Sequence, residues 1–292
     1  MFTITPSEIS TQKLYGFLVS TIGPRPIAFA STISKTGEVN LAPFSFFNMV
    51  SANPPTLMFS PLSRIADNTE KDTLKNIKET QEVVINMVNY AMVHQMSLSS
   101  CNFAPTVNEF EKAGFSMEAS EEVKPYRVKE APVQLECKVS NVVNLGSHGG
   151  AGNIVICEVV KIHIAEAFLT ADEKIDQHKL DLVARMGGNW YTRAKEGMFE
   201  LPKPISAIGM GIDILPEGIK NSTVFTGNNL GQLASLEKMP SLQDATDFIE
   251  NSEFKDLIEN RSTVQIHQKV QELLQDNDVE KAWNILVAYH KK

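Results

Sequence analysis

The sequence predicts a mainly β protein, an antiparallel barrel of Greek-key-like topology with helical additions. Strand-like runs are joined by tight turns, such as the turn at Lys35-Thr36-Gly37. Apolar residues alternate along Pro132 to Leu145, as they do in a half-buried antiparallel strand. Few helices separate the strands, which argues against a doubly wound parallel sheet.

The elements of this barrel can be placed along the chain. The predicted strands are Pro26 to Ser34, Val39 to Val50, Thr56 to Ser60, Glu82 to Val88, Pro132 to Leu145 and Ile154 to Phe168, with the last two paired. The predicted helices are Thr3 to Leu18, starting near Ser7, a helix from Thr69 to Thr80, Tyr90 to Ser100, and Val107 to Ala113, which Gly114 ends. Thr69 and Asp72 have the spacing of a capping box.

The residue pattern of the chain changes near Leu201-Pro202-Lys203-Pro204. From Gly231 to Lys292, apolar residues such as Trp283 and Leu286 recur at helical spacing. Gly209 to Asp213 lacks the third glycine of a dinucleotide-binding fingerprint and is interpreted as a linker turn. We therefore expect a barrel domain at 1–205 and a linker with an α-helical extension at 206–292.

Composition excludes several functional classes. The 292 residues carry a net charge of -8 without a compensating basic cluster, which argues against nucleic-acid and anionic-membrane partners. No secretory signal or membrane span is recognisable, so a cytoplasmic location is expected. The 3 cysteines show no CxxC spacing, and the 6 histidines show no metal-ligand spacing, so no metal is expected. His163 is expected to face solvent on its strand.

The run after Gly37 is unusual for a strand that only fills a core. It carries small and amide residues among its aromatics, namely Asn40, Ala42, Ser45, Phe46 and Asn48. A core strand would carry Val, Ile and Leu at such positions. Small residues let the backbone approach a flat ligand, and aromatic and amide groups contact its faces and edges.

The segment from Ser60 to Thr73 predicts an anion site. A strand ends, a loop carries Arg64, and a helix opens with Lys71, Asp72 and Thr73. Helix N-termini present free N–H groups and a partial positive charge, and Arg and Lys add donors to phosphate. The alternative is a surface helix whose Asp and Thr only cap it.

Together these segments resemble a known family. The matching text is GPRPIAFASTIS, GEVNLAPFSFFNMVSANPPTLMFS, KDTLKNIKETQEVVINMV, FEKAGF, APVQLECKV, the Ser147-His148 region and LVARMGGNWYTR. This pattern is similar to the flavin reductase-like family of FMN-binding split-barrel proteins, of the flavoprotein oxygenase and flavoredoxin type. The resemblance covers Ser7 to Leu201 and not the helical extension.

The resemblance implies a homodimer in which each six-stranded barrel holds one non-covalent FMN near the subunit interface. The implied cofactor-binding residues are Ser31 and Thr32 facing the flavin, Ser45, Phe46 and Asn48 along its ring, Ser60, Arg64, Lys71, Asp72 and Thr73 around its phosphate, and Tyr191 close to it, across the dimer. Arg25 near the cavity mouth and His148 beside the flavin are the catalytic candidates. The catalytic residues are otherwise undefined, because the cofactor performs the redox chemistry.

The implied function is that of an FMN-dependent oxidoreductase. The simplest form is a flavin reductase that passes a hydride from NADH or NADPH to the bound flavin, with a small-molecule electron donor and acceptor as partners. One alternative is a flavoredoxin-like electron carrier without nicotinamide activity. Another is a flavoprotein that acts on an organic substrate.

Overall fold

The computed structural model describes residues 1–104, 106–201 and 208–290. The chain separates into two compact units, Met1–Phe199 and Glu200–Lys292. The predicted domain boundary between residues 205 and 206 lies outside the described residues. Within the described ranges, no helix has both the length and the apolar character that crossing a membrane requires.

The first unit is built mainly from strands. Its described strands are β1 (Ala28–Ile33), β2 (Val39–Phe44), β3 (Phe47–Ala52), β4 (Pro55–Phe59), β5 (Glu82–Asn86), β6 (Met117–Glu118), β7 (Arg127–Val128), β8 (Val133–Asn144), β9 (Asn153–Ile164), β10 (Val183–Arg185) and β11 (Tyr191–Arg193). Among described residues, seven of these form one sheet in the order β2-β1-β5-β8-β9-β4-β3. Every pairing in it is antiparallel, and β8 pairs with β9 as predicted.

Short helices complete this unit. They are α1 (Thr11–Thr21), α2 (Asp72–Thr80), α3 (Val93–Leu98), α4 (Glu109–Ala113) and α5 (Gln177–Leu180), with 3-10 turns at Pro6–Glu8, Tyr90–Met92, Glu166–Phe168 and Ala194–Gly197. Gly114 ends α4 with a φ of 70°, as predicted.

The single strand predicted from Val39 to Val50 is wrong, because the chain breaks at Ser45-Phe46. β2 pairs with β1 and β3 pairs with β4, at opposite edges of the sheet. A flat sheet of seven strands would hold its edges about 29 Å apart. Three residues from Phe44 to Phe47 span at most about 11 Å. The sheet must therefore roll into a barrel, which confirms the predicted fold class with seven strands instead of six.

The barrel strand β1 is buried on both faces. Ala28 and Ala30 pack inside with Phe59 and with Leu74 of α2. On the other face Phe29 packs with residues of α3 and α4. This double burial explains why consecutive residues of β1 are buried, instead of every second one.

Two predicted helix starts are wrong. α1 begins at Thr11 and not near Ser7, because the Ser10 side chain accepts a hydrogen bond from the Lys13 N–H. α2 begins at Asp72 with Lys71 as its N-cap and without a side-chain cap, so there is no capping box. The Thr69 hydroxyl instead donates to Asp67 at 2.7 Å.

The prediction that His163 faces solvent is also wrong. Its side chain is 17% exposed, and its Nε2 lies 2.7 Å from Oε1 of the fully buried Glu136. The turn between β6 and β7 covers this part of the sheet, since Glu136 accepts the backbone N–H groups of Glu121, Glu122 and Val123.

The second unit is helical, as its periodicity predicts. Its described helices are α6 (Glu217–Lys220), α7 (Gly227–Leu233), α8 (Leu242–Glu250), α9 (Lys255–Asn260), α10 (Thr263–Gln275) and α11 (Val279–His290). Trp283, Leu286 and Val270 belong to its buried core, and the Trp283 Nε1 donates to the Leu233 carbonyl at 2.8 Å. Gly211 adopts a φ of 85° before a 3-10 turn at Ile212–Ile214, in keeping with a linker turn.

Candidate functional site

Two cations lie at the start of α2 without a carboxylate partner. The Arg64 Nη1 donates to the Thr69 hydroxyl at 3.0 Å and to the Glu70 carbonyl at 2.8 Å. The Lys71 ammonium lies 5.7 Å from the centre of the Phe44 ring. Neither Arg64 nor Lys71 forms an ion pair within the described part of the chain. Burial lowers the pKa of Lys71, and the Arg64 charge lowers that pKa further.

The backbone adds to this positive site. Lys71 is the N-cap of α2, and its long side chain does not cap the helix. The first N–H groups of a helix have no intrahelical acceptor, and the helix dipole places partial positive charge there. The start of α2 therefore combines two side-chain cations with free backbone donors, which is the chemistry of an anion site.

A polar network joins α2 to the barrel. Asn40 on β2 donates to the Thr73 hydroxyl at 2.8 Å and lies 3.4 Å from the Thr32 hydroxyl. Asn76 donates to the same Thr32 hydroxyl at 3.1 Å. Because Thr73 accepts from Asn40, its own hydroxyl proton remains available to a ligand.

Asn40 and Thr73 of this network line a small polar cavity of about 60 Å³, called the α2 cavity below. Arg64, Lys71 and Asp72 line it with them, together with residues 99–103. The structure thus brings together four of the five residues that were expected around the phosphate, and Ser60 is not part of the described lining. Asp72 is held by Lys75, whose ammonium lies 2.9 Å from its carboxylate.

Glu109 also lines the α2 cavity, and sequence reasoning missed it. Its carboxylate accepts the Leu41 N–H at 3.0 Å, and burial raises the pKa of this group. Glu109 follows the helix cap Asn108, and an acidic residue is favourable in the first turn of a helix. The sequence therefore gave no sign that its carboxylate contacts β2. Asn76 had a weak signal, since it is an amide between the buried Leu74 and Ile77.

A second cavity, of about 430 Å³, lies between α1 and the β2–β3 break and is called the α1 cavity below. Leu14, Tyr15 and Leu18 of α1 form one wall, and Phe46 and Arg25 lie across it. Arg25 is 7% exposed. Ser45 lies beside this cavity, because its hydroxyl is 3.4 Å from the Arg25 Nε.

Ser31 and Thr32 cannot both face one ligand with their side chains, because neighbouring strand residues point to opposite faces. Thr32 joins the network at α2, whereas the Ser31 hydroxyl is buried without a hydrogen-bond partner in the described structure. The Ser60 hydroxyl is likewise buried and unpartnered there. Buried polar groups normally find partners, so both hydroxyls are open to a ligand or water.

Three other predicted residues lie outside both cavities. Asn48 is exposed on the edge strand β3, and His148 is exposed in the turn between β8 and β9. Tyr191 is 36% exposed, with the Arg185 guanidinium 4.6 Å from its ring centre. Among the residues that the structure describes, no group of three or more side chains is arranged to hold a metal ion.

The rolled antiparallel sheet and the cationic cavity at its edge define a split-barrel protein of the flavin-related oxidoreductase class. The flavin reductase like domain family matches residues 21–177, and the chain belongs to that family. The match lies wholly in the first unit, and the helical second unit is outside it.

Relatives agree with this placement. An uncharacterized protein of Aquifex aeolicus is 40% identical over 187 residues, covering 64% of this chain and 93% of its own. The solved nitrilotriacetate monooxygenase component B from Bacillus cereus is 32% identical, covers 69% of this chain and 98% of its own, and has a TM-score of 0.64. The 2-nitrobenzoate 2-nitroreductase of Pseudomonas fluorescens is 27% identical, covers 72% and 100%, and has a TM-score of 0.62.

Proposed function

We propose that the chain is an FMN-dependent oxidoreductase, most simply a flavin reductase that uses NADH or NADPH. The observation that carries this proposal is the pair of unpaired cations, Arg64 and Lys71, at the uncapped start of α2. A phosphate monoester would supply the missing negative charge. FMN ends in such a group, whereas riboflavin lacks it.

The residues present fit the phosphate end of FMN. Arg64 and Lys71 would balance its charge, and the Thr73 hydroxyl would donate to a phosphate oxygen while Asn40 holds it in place. From Pro43, which lines the α2 cavity, to Phe46, which lines the α1 cavity, three residues span at most about 11 Å. That distance suits a ribityl chain, so Ser45 and Phe46 would meet the ring.

The chemistry that bound FMN supplies is acceptance of a hydride from the nicotinamide. Ring contact suffices for this transfer, and it needs no protein nucleophile. Accordingly, the described lining of the α1 cavity contains no carboxylate and no histidine. The residues of this chain would bind and orient the flavin and exclude water from it.

The proposal includes a homodimer. Apolar side chains are exposed on α1 and β3, including Leu18 at 48%, Ile22 at 62% and Met49 at 65%. Large exposed apolar patches commonly mark association surfaces. We expect a dimer by light scattering, in which His148 and Tyr191 could reach the partner's flavin. A clean monomer that still holds FMN would contradict a shared site.

One alternative has its own support. The α1 cavity beside Phe46 is apolar and large enough for a small organic molecule. The Pseudomonas fluorescens neighbour is named as a nitroreductase, which also favours a flavoprotein acting on an organic substrate. An FMN electron carrier remains the other alternative.

The deciding experiment is an absorbance titration of the purified protein with FMN, FAD and riboflavin. We expect FMN to bind at least tenfold more tightly than riboflavin, because charge-assisted bonds to phosphate are worth about 1.5–3 kcal/mol each. Equal affinities would remove the phosphate assignment. Anaerobic mixing of the FMN complex with NADH or NADPH then separates the functions, since bleaching supports a reductase and persistent yellow colour supports a carrier.

A further inference from the structure

Arg25 is a buried guanidinium with most of its donors already bonded. Its Nη1 donates to the Val19 carbonyl at 2.5 Å and the Ile22 carbonyl at 2.7 Å, at the C-terminal end of α1. Its Nη2 donates to the Met186 carbonyl at 3.0 Å, and its Nε points to Ser45. A guanidinium has five N–H groups. One Nη2–H therefore has no acceptor in the described structure.

The charge of Arg25 has no acidic partner. All the acceptors above are neutral, and no ion pair involves Arg25 among the described residues. A second cation, Arg185, acts on the Arg25 charge, and the backbones of the two residues pair at 3.0 and 2.8 Å. Burial lowers the pKa of Arg25, but guanidinium groups remain protonated in proteins. A buried positive charge without its counterion attracts an anion.

The α1 cavity beside this charge has an apolar and partly aromatic lining. The Tyr15 and Phe46 rings lie 6.3 Å apart between centroids and are tilted by 60°. Leu14, Leu18 and Leu62 supply much of the remaining surface, and within the described lining Arg25 is the one charged side chain. A volume of about 430 Å³ is in the range of pockets that enclose small ligands.

We propose that the α1 cavity binds a planar aromatic carboxylate, with its ring against Leu14, Tyr15 and Leu18 and its carboxylate toward Arg25, which leaves Phe46 to the flavin. The inference rests on the proposed function in one respect, since it names the substrate class that would meet the flavin site. A flavin ring is itself planar and aromatic and can carry negative charge when reduced. The test must therefore separate an added carboxylate from the ring of the cofactor.

The test is a calorimetric titration of the full chain with benzoate, alone and with saturating FMN. Benzamide serves as the neutral planar comparison, and cyclohexanecarboxylate as the charged non-planar one. We expect saturable benzoate binding in both conditions, at least tenfold tighter than either comparison. FMN binding is followed separately by absorbance.

Matched variants locate the site. Leu14 lines the cavity at a half-buried position of α1, so Leu14→Glu should fold and place a carboxylate in the cavity that holds Arg25. We expect it to weaken benzoate binding at least tenfold. Gln12→Glu adds the same charge at an exposed position of α1 outside the cavity lining and should leave benzoate affinity within twofold.

The outcomes are distinct. Competition between FMN and benzoate would assign the cavity to the cofactor ring and overturn this inference, while the proposed function stands. Equal binding of benzoate and benzamide, no benzoate binding, or equal effects of the two variants would overturn it as well. Benzoate binding without FMN binding would support the cavity assignment and refute the proposed function.

Discussion

The two cavities of the first unit hold positive charge in opposite surroundings. In the α2 cavity, the Lys71 ammonium has no hydrogen-bond partner in the described structure, and the Arg64 guanidinium donates through Nη1 alone. In the α1 cavity, Arg25 is surrounded by apolar side chains and donates to three backbone carbonyls. Most donors of the first pair are free for a ligand, whereas Arg25 already joins separate segments of the chain and keeps one free Nη2–H. The existing partners of a cation, and not its residue type, show how much of it is left for a ligand.

The largest expected effect follows from the structural role of Arg25. Arg25→Ala would remove this donor from the buried Val19 carbonyl and from the partly buried Ile22 and Met186 carbonyls. Buried acceptors that lose their partner cost about 1–3 kcal/mol each. We expect the free energy of unfolding in urea to fall by about 3 kcal/mol or more. A loss below about 1 kcal/mol would mean that Arg25 does not hold α1 in place.

The next effect concerns binding and not folding. The double variant Arg64→Ala with Lys71→Ala should weaken FMN binding at least tenfold, because it removes two charge-assisted contacts to phosphate. Its free energy of unfolding should change by less than about 0.5 kcal/mol per site. Lys78→Ala, on the same helix but outside the cavity lining and paired with Glu70, is the control and should keep its FMN affinity. Unchanged affinity in the double variant would remove the phosphate site.

A smaller effect is a dependence on pH. Burial and Arg64 lower the pKa of Lys71, so its ammonium loses its proton at a lower pH than an exposed lysine does. Phosphate favours the charged form and raises this pKa in the complex. The Lys71 contribution is therefore complete below the pKa of the free protein and is lost as pH rises through the pKa of the complex.

FMN titrations across alkaline pH would measure this loss. Lys71→Arg keeps its charge throughout and should flatten the profile. A profile that is unchanged by Lys71→Arg would show that another group titrates.

The smallest effect is expected at His148. This residue is exposed, and the His148 side chain forms no hydrogen bond or ion pair within the described first unit. His148→Ala should change the FMN affinity of the monomeric form by less than twofold. A larger loss that appears only at dimer-forming concentrations would place His148 in the partner's site.

The candidate site shows which of its residues could be predicted from the sequence. Arg64, Lys71, Asp72 and Thr73 were predicted together because they are neighbours in the chain at a helix start. The contact of Asn40 with Thr73 spans 33 positions, and that of Glu109 with Leu41 spans 68. Asn40 stood out as unusual for a core strand and Thr73 belonged to the predicted anion site, but nothing in the sequence showed that the two meet. Glu109 has an ordinary local explanation beside the helix cap Asn108.

The fold shows the same division. The alternation along β8 and β9 and the periodicity of the second unit predicted their structure, because local burial leaves a local pattern. The break at Ser45-Phe46 was not predicted, because every residue from Val39 to Val50 is compatible with a strand. Pairing with opposite sheet edges decides the break, and only the rolled sheet brings those edges together.

By itself, the sequence determined the antiparallel class, the helical second unit and the cationic start of α2, since each depends on residues within a few turns or strand pairs of one another. The tertiary structure alone decided that Arg25 donates to Met186, 161 positions away, and that α1 and Phe46 enclose a cavity. The physical reason is that hydrogen bonds and cavities depend on distances in space. A linear pattern records such distances only when they fall within a single element.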